Sequence, residues 1–278
     1  MNQLKFINGV ARNFFNRFSA VFIFLICIAP HSFGASTVPS SACDYKSDDS
    51  CFRPRLGTFH YVIHWNKTDV AQATVTMQRE NDHYRLAANS KTTGLTDKIY
   101  RIQFTGEGII NVNDFSAIES KYSERIRSKK KDTSIYYRED GRIESVQVEK
   151  RGDGRTKTKT REFTPENGVL DIFTFMTLAR SFDWKIGLSE RFEVFTGKKT
   201  EILTLNCIGH DVYQKGQKKI DAWIIAPAAM DPAKKDKKPQ VKETWVYLSA
   251  DESRDILKIK TQTAFGTVKA RLIKFTPH

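Results

Sequence analysis

Apolar and polar residues alternate along most of the chain from residue 58 onward. The first such segment, TFHYVIHWN, places Phe59, Tyr61, Ile63 and Trp65 on one face. Similar segments follow, separated by turn sequences such as Asn-Asp, Gly and Glu-Asp-Gly. Strict alternation predicts strands that are buried on one face, and many strands joined by short turns predict antiparallel pairing. The sequence therefore predicts an all-β fold, a strongly curved antiparallel sheet that forms a half-barrel or a barrel-like shape.

One segment, NGVLDIFTFMTLARSFDW, breaks this alternation. Its apolar residues recur at intervals of three and four, which predicts an α-helix. They are Ile172, Phe173, Met176 and Ala179. Asp171 can cap the free amides at the start of this helix, and Arg180 suits the negative end of its dipole. Because few of its positions are polar, we expect the helix to be largely covered and to lie across the open face of the sheet.

Strands resume after the helix and end in a meander formed by TWVYLS, DILKIKTQT and TVKARLIKF. The first turn of this meander contains Ser249, Asp251, Glu252 and Arg254. Serine and aspartate in a turn can bind nearby backbone amides, and Arg254 could fold back onto Asp251. No histidine accompanies these residues in the sequence, so we interpret them as a tight hairpin and not as a catalytic group.

The N-terminus has the pattern of a secretory signal peptide. Three basic residues and no acid precede the apolar run AVFIFLICIA, which Pro30 ends, and the small residues Ser32 and Gly34 follow. This layout predicts a signal peptide over residues 1–34 that is removed on export. A retained anchor and a lipoprotein are the alternatives.

Residues 35–54 are rich in Ser, Pro and Asp and are predicted to be a flexible tether. Residues 55–278 are predicted to form a single β-rich domain. Since no second long apolar run occurs, we expect no transmembrane segment after signal cleavage and a periplasmic location.

Export would expose the cysteines to an oxidising compartment. Cys43 and Cys51 flank a short polar loop and could form a disulfide, although spacing alone does not decide this. Cys207 alternates in register with Leu203 and Leu205, which predicts a buried, inert thiol.

The chain shows no catalytic or metal-binding motif. GxSxG and CxxC are absent, and no nucleophile is accompanied by a base. We therefore predict a protein without enzymatic activity, metal or other cofactor, with a hydrolase as the less favoured alternative.

Positive charge is concentrated between residues 121 and 161. The whole chain has a formal net charge of +13, and this segment holds 14 Lys or Arg against 7 Asp or Glu. By alternation the cations form two rows, each on one face of its strand. One row is Lys121, Arg125, Arg127 and Lys129, and the other is Arg155, Lys157, Lys159 and Arg161.

If the two strands share a sheet with these faces aligned, the eight cations form one plate that could bind phosphates or anionic lipid. A solvated, solubilising outer face is the alternative. We expect no nucleic acid partner, because export removes that partner and the aromatic residues do not interleave with the cations.

Two stretches together resemble a known family. DIFTFMTLAR is similar to a helix motif of the exported Gram-negative proteins grouped as domain of unknown function 3108, with Asp171, Thr174 and Arg180 on matching positions. WVYLSADESRDILKIKTQTAFGTVKARL resembles the closing motif of that family. The matching residues there are Trp245, Ser249, Asp251, Arg254, Gly266 and Leu272. The chain departs from the family where prolines are usual, at Ile172 and Asp255.

This resemblance covers about residues 58 to 275 and implies export to the envelope and a curved antiparallel sheet, without an activity or catalytic residue. By looser analogy, such sheets resemble the half-barrels of periplasmic lipoprotein carriers, whose concave apolar face holds acyl chains. We therefore expect a lipid or another anionic or amphiphilic envelope component as ligand, with Phe173, Phe175 and Met176 on the apolar side. An interaction module that docks an acidic envelope protein is the alternative.

Overall fold

The structure is a computed structural model, and it describes residues 52–165, 169–230, 243–263 and 266–278. The predicted signal peptide, most of the predicted tether and the candidate pair Cys43 and Cys51 lie outside these residues. The strands are β1 (Gly57–Trp65), β2 (Thr68–Glu80), β3 (His83–Thr92), β4 (Ile102–Asn111), β5 (Ala117–Ile126), β6 (Lys129–Tyr137), β7 (Ile143–Lys150), β8 (Thr156–Phe163), β9 (Ser189–Phe195), β10 (Thr200–Lys215), β11 (Lys218–Met230), β12 (Thr244–Ser249), β13 (Ile256–Thr263) and β14 (Gly266–Pro277). The helices are α1 (Gly94–Ile99) and α2 (Ile172–Ser181).

All fourteen strands belong to one antiparallel sheet. Strands β1 to β8 lie side by side in chain order, β9 to β14 do the same, and β1 pairs with β14. The first and last strands therefore meet in the middle of the sheet, and β8 and β9 form its two edges. This arrangement confirms the predicted all-β, barrel-like fold. Within the part of the chain that the structure describes, β8 and β9 do not pair to close the sheet.

The apolar positions of the alternating segments lie on the inner face of the sheet. In β1, for example, Phe59, Tyr61 and Ile63 are 4%, 5% and 2% exposed and belong to the main hydrophobic core. Burying one such side chain contributes about 1.5–3 kcal/mol. Repetition of this pattern over many strands gives the sheet its common apolar interior.

Side-chain hydrogen bonds link the two ends of the curved sheet. The turn after β9 lies on the inner face of β5 to β7, where Ser145 Oγ and Gln147 Nε2 donate to the carbonyl of Gly197 at 2.7 and 3.0 Å. The hydroxyl of Tyr122 donates to the carbonyl of Thr196. Gly197 has a φ of 72°, and a Cβ there would lie 2.5 Å from the Tyr122 hydroxyl. Glycine is thus required for this close approach.

Helix α1 is not predicted by the sequence pattern, and KIYRIQFTG, which begins at Lys98, alternates like a strand. In the structure α1 occupies the connection from β3 to β4, and β4 begins only at Ile102. None of the residues of α1 is buried, so it has no apolar stripe from which a helix could be recognised. In the described part of the chain, no helix is long and apolar enough to cross a membrane.

Helix α2 lies on the inner face against β4, β5 and β9. It begins with the predicted cap, because the Asp171 side chain accepts a 2.6 Å hydrogen bond from the Thr174 amide. Phe173 packs onto β4, where Gly106 and Gly108 leave space for its ring. A Cβ on Gly108 would lie 2.6 Å from Phe173. Glycines inside a strand often mark such a close approach, and here they allow α2 to sit deep in the sheet.

Candidate ligand-binding site

An apolar cavity of about 60 Å³ lies between α2 and strands β10 to β13 and is partly open. The helix contributes Phe175, Met176, Ala179 and Arg180, and Trp184 follows it. The strands contribute Leu205, Ile225, Pro227, Thr244, Val246, Leu248, Ile256 and Ile259. The lining is apolar except for Arg180, Thr244 and the indole nitrogen of Trp184, whose N–H is bound to the Ala179 carbonyl at 3.0 Å.

The cavity includes two of the three residues expected on the apolar side. Phe175 and Met176 line it, whereas Phe173 is 5% exposed and fills the space above Gly106 and Gly108. Phe173 therefore has a packing role in this structure. The helical period showed which residues point inward, but it could not separate those that fill the core from those that face a cavity.

The cavity is small in this conformation. A dry cavity of about 150 Å³ is needed to hold a benzene molecule, so about 60 Å³ holds only a few carbon atoms. A longer hydrocarbon chain would fit only if part of the wall moved. Met176 is a half-buried, unbranched side chain, and such side chains adapt readily to irregular spaces.

Arg180, which lines the cavity, belongs to an ionic cluster with Asp255 and Arg55. Arg180 Nη2 lies 3.5 Å from Asp255 Oδ1, and Arg55 pairs with the other oxygen of Asp255. Arg180 also donates to the carbonyls of Ser253 and Arg254, each at 2.8 Å. Burial raises the pKa of Asp255, and the cations of Arg180 and Arg55 oppose this shift. The cluster ties α2 to the turn between β12 and β13.

That turn has the predicted hairpin chemistry with one difference. Ser249 Oγ donates to Asp251 Oδ1 at 2.8 Å and accepts from the Asp255 amide at 2.8 Å, while Asp251 also accepts from the Ser253 amide. Arg254 does not fold back onto Asp251. Its Nη1 donates to the Ala250 carbonyl at 2.8 Å, and its Nη2 lies 3.4 Å from Asp183.

Trp245 and Gly266, two further residues of the closing family motif, also have structural roles. Trp245 stacks beneath the ammonium of Lys260, which lies 4.5 Å from its ring centroid. Gly266 has a φ of 115°, and a Cβ there would lie 2.3 Å from Asn66 Oδ1. Glycine thus allows the β13–β14 turn to contact the β1–β2 turn.

The register contradicts the prediction of a single plate of eight cations. Lys121 of β5 pairs with Ser134 of β6, Ser134 pairs with Val146 of β7, and Val146 pairs with Thr160 of β8. Lys121 therefore shares a face with Thr160. Tyr122, on the other face of β5, is in line with Lys159. Cross-strand partners point to the same side of a sheet. The Lys121 and Arg125 side chains therefore point outward, and Lys157, Lys159 and Arg161 point inward. The prediction that each row lies on one strand is also wrong. Arg127 lies in the β5–β6 turn, Lys129 belongs to the inner face of β6, and Arg155 precedes β8.

Several of these cations already have partners. Lys121 pairs with Glu119 at 2.7 Å, Lys129 pairs with Glu149 at 3.1 Å, and Arg155 pairs with Asp153. The guanidinium of Arg127 lies over the ring of Tyr100, and Arg161 donates to Gln147 at 3.3 Å. The two lysines of β8 are exposed on an edge strand. Lysine is often found there because it prevents pairing with another sheet.

The register also brings together a group of cations that the alternation within a single strand could not predict. Arg125 of β5 is directly opposite Lys130 of β6, and Lys130 is directly opposite Lys150 of β7. These three side chains belong to three neighbouring strands and lie on the outer face. Only the pairing register could bring them together, since they are 5 and 20 residues apart.

Asp171 is a buried carboxyl group with a perturbed pKa. It is 0% exposed, caps α2 and accepts a hydrogen bond from Ser120 Oγ. Burial raises its pKa from 3.8 to about 6, and its hydrogen bonds with Thr174 oppose this shift. Both of its oxygens are engaged by protein groups, so we assign it a structural role.

The described residues contain no group of three His, Cys, Asp or Glu side chains that could hold a metal ion. Cys207 is buried, as its register indicates, and burial raises its thiol pKa. A buried thiol with a raised pKa is a poor nucleophile. The geometry of the described residues therefore offers a cavity and charged surfaces, but it does not point to a reaction.

Comparison with solved structures supports the fold. The chain is similar to the crystal structure of a beta-barrel-like protein of domain of unknown function DUF1849 from Brucella abortus, with a TM-score of 0.53 and 11% identity. That similarity covers 81% of this chain and all of the other. A more distant similarity, with a TM-score of 0.33 and 7% identity, is to a "putative lipoprotein" from Parabacteroides distasonis, covering 81% of this chain and 97% of that one.

No functionally curated protein matches the sequence. A family model does, over residues 60–273, and its description is "Protein of unknown function (DUF3108)". This match includes α2, the ion pair of Arg180 with Asp255 and most of the sheet. The chain therefore belongs to the DUF3108 family of proteins of unknown function.

Proposed function

We propose that this protein is a non-enzymatic protein of the periplasm that binds the hydrocarbon part of an amphiphile in the cavity beside α2. The observation that supports this most directly is the lining of the cavity, in which apolar side chains from the helix and from four strands converge. Lipophilic ligands are generally held by concave apolar sites with few polar groups. The export pattern at the N-terminus supports the periplasmic location.

The charges around the cavity indicate how an amphiphile would be oriented. Arg180 lines the cavity, but Asp255 and two backbone carbonyls already engage its guanidinium. A buried anionic head group would have to compete with these partners, which is costly in an apolar environment. We therefore expect the hydrocarbon to enter the cavity and the head group to stay at its open side. Each methylene removed from water contributes about 0.8 kcal/mol.

A substitution that fills the cavity tests the proposal. Ala179→Leu on α2 adds three carbon atoms to the cavity, whereas Leu95→Phe adds three carbon atoms on α1, where Leu95 is 71% exposed. We expect the unmodified protein and Leu95→Phe to retain lipid in native mass spectrometry after detergent-free purification from the envelope fraction. Ala179→Leu should lose it. Recovery of all three proteins without lipid would refute the proposal.

Trp184 provides a second readout, which does not require lipid to stay bound during purification. Its ring lines the cavity and is 1% exposed. A fatty acid with bromine atoms on its chain should quench Trp184 fluorescence, and Trp184→Phe should remove the quenched component. Equal quenching with and without Trp184 would show that the fatty acid binds elsewhere.

A further inference from the structure

Two neighbouring turns form a strongly basic tip, defined here as residues 125–131 and 149–155. The first contains the β5–β6 turn and the second the β7–β8 turn. Together they hold eight Lys or Arg residues and two acids, Glu149 and Asp153. This is a higher density of positive charge than in the chain as a whole.

The two turns of the basic tip pack directly against each other. A Cβ on Gly152 would lie 2.7 Å from both the Cβ and the Oγ of Ser128, so the glycine is needed for this contact. Each turn is also closed by its own backbone hydrogen bonds, as in the 3.0 Å bond from the Gly154 amide to the Arg151 carbonyl. The cations are therefore carried on one packed surface and not on two independent loops.

The charge of the basic tip is balanced on the inner face but not on the outer face. Inward, Lys129 and Arg151 both contact Glu149, at 3.1 and 3.0 Å, and Lys131 lies 3.8 Å from Glu124. Outward stand Arg125, Lys130 and Lys150 in direct cross-strand opposition. Among the described residues, only Lys130 of these three has an acid within ion-pair distance, Asp132 at 2.9 Å. The charge of Lys150 also acts on Asp132, so one carboxylate faces three cations.

Like charges directly opposite each other destabilise a sheet. The same register row continues across the outer face as far as β12 without any acid. In order from β8 it contains Thr156, Lys150, Lys130, Arg125, Gln103, Lys91, Gln72, Val62, Arg271, Lys258 and Tyr247. Asp132, beside Lys130 and Lys150, and Asp211, near Lys258, supply part of the counter-charge of this row. The remaining positive charge is left to the solvent or to an external anion.

The composition of the tip favours a membrane over a protein partner. Its one large apolar residue, Ile126, belongs to the inner face in register with Lys129. Protein interfaces are typically built on aromatic or apolar anchors and are depleted in lysine. An anionic lipid surface requires no such anchors, because each basic residue near it contributes about 1 kcal/mol.

We propose that the basic tip docks this protein onto an anionic phospholipid surface. The topology gives this a consequence for the cavity. Since the strands alternate in direction, the β5–β6 and β7–β8 turns lie at the same rim of the sheet as the end of β11 and the start of β12. Pro227 and Thr244, which line the cavity, lie near that rim. Docking through the tip would bring this end of the cavity toward the membrane. The proposed docking thus adds a membrane contact to the proposed function, and it rests on that function only in placing the protein near lipid.

Vesicle co-sedimentation tests the proposal. The purified protein is mixed with phosphatidylcholine vesicles or with vesicles of equal parts phosphatidylcholine and phosphatidylglycerol. The test variant is Arg125→Gln/Lys130→Gln/Lys150→Gln. The control, Lys185→Gln/Lys218→Gln/Lys219→Gln, removes the same charge from exposed positions away from the tip. We expect binding only to the anionic vesicles, a roughly hundredfold loss in the test variant, and much weaker binding at high salt.

Three results would overturn the proposal. They are equal binding to both vesicle types, an unchanged affinity in the test variant, and equal losses in the test and control variants. Capture of an acidic envelope protein that needs the tip, without vesicle binding, would also overturn it and would favour a protein partner. The Ala179→Leu variant separates the two proposals, since it should lose its lipid cargo and still bind anionic vesicles.

Discussion

Arg180 in the last turn of α2 and Asp255 after the β12–β13 turn form an ion pair that is almost completely buried. Their side chains are 11% and 4% exposed, and the Nη2–Oδ1 distance is 3.5 Å. Asp255 stands where the family usually has proline. The side chain thus gains a role that proline could not have, because it balances the charge of the arginine that anchors the helix.

We predict that Asp255→Asn lowers the free energy of unfolding by about 3 kcal/mol. The substitution leaves Arg180 buried without a counter-charge, and removing one partner of a buried pair typically has this effect. Urea unfolding followed by tryptophan fluorescence measures the change.

The matched control is Glu252→Gln in the same turn. Glu252 pairs with Arg53 at 3.8 Å, but the two side chains are 65% and 80% exposed, so we expect no measurable effect. The double variant Arg180→Met/Asp255→Leu should be more stable than Asp255→Asn alone. A double variant that is less stable than Asp255→Asn would contradict this expectation and would show that the ion pair has a net stabilising role.

Gly108→Ala should destabilise the protein by roughly 1–3 kcal/mol, since the added methyl group overpacks the contact with Phe173. Gly108 has an ordinary backbone conformation, so the effect should come from crowding. Phe173→Leu in the Gly108→Ala background should therefore restore part of the loss in thermal unfolding. Equal losses with and without Phe173→Leu would contradict this explanation.

Asp171 should make stability depend on pH between about 4 and 6. Its pKa is about 6 in the folded protein and 3.8 ordinarily, so the folded state binds more protons in this range. The contribution of this group to the free energy of unfolding is then greatest at low pH and is lost as the pH rises. The difference between the two pKa values corresponds to about 3 kcal/mol in the free energy of unfolding.

Asp171→Asn tests this dependence, because asparagine keeps the capping oxygen without the ionisation. We compare the free energy of unfolding of the variant with that of the unmodified protein at each pH. The difference should favour the variant more at pH 7 than at pH 4, by up to about 3 kcal/mol. Asp171→Ala also loses the cap and should be about 1 kcal/mol less stable than the asparagine variant at both pH values. Parallel stability curves for Asp171→Asn and the unmodified protein would refute the shifted pKa.

The lysines of the edge strand β8 should prevent self-association. Lys157→Val/Lys159→Val creates an exposed strand edge of high β propensity, which we expect to aggregate. Lys218→Val/Lys219→Val at the β10–β11 turn is the control with the same composition. Light scattering on heating should rise at a lower temperature only for the β8 variant. Similar scattering from the two variants would indicate that loss of charge alone is responsible.

The sequence contained most of what was needed to predict the fold. Alternation along segments such as TFHYVIHWN depends only on the two-residue period of a strand, so the inner and outer faces could be read locally. The i, i+3, i+4 spacing of α2 and its cap at Asp171 are equally local features. The family could also be recognised from short motifs around α2 and the β12–β13 turn, and these motifs prove to be in contact through Arg180 and Asp255.

The tertiary structure was needed wherever the result depends on contacts between distant segments. Parity showed that Lys121 and Arg125 share a face, and that Lys157 and Lys159 share one. Which of these faces coincide is decided by the register of β6 and β7 between them, and a shift of one residue reverses the answer. The same register placed Arg125, Lys130 and Lys150 side by side. In the same way, Phe173 was separated from Phe175 and Met176 only because the glycines of β4 receive its ring, a contact that joins residues more than sixty positions apart.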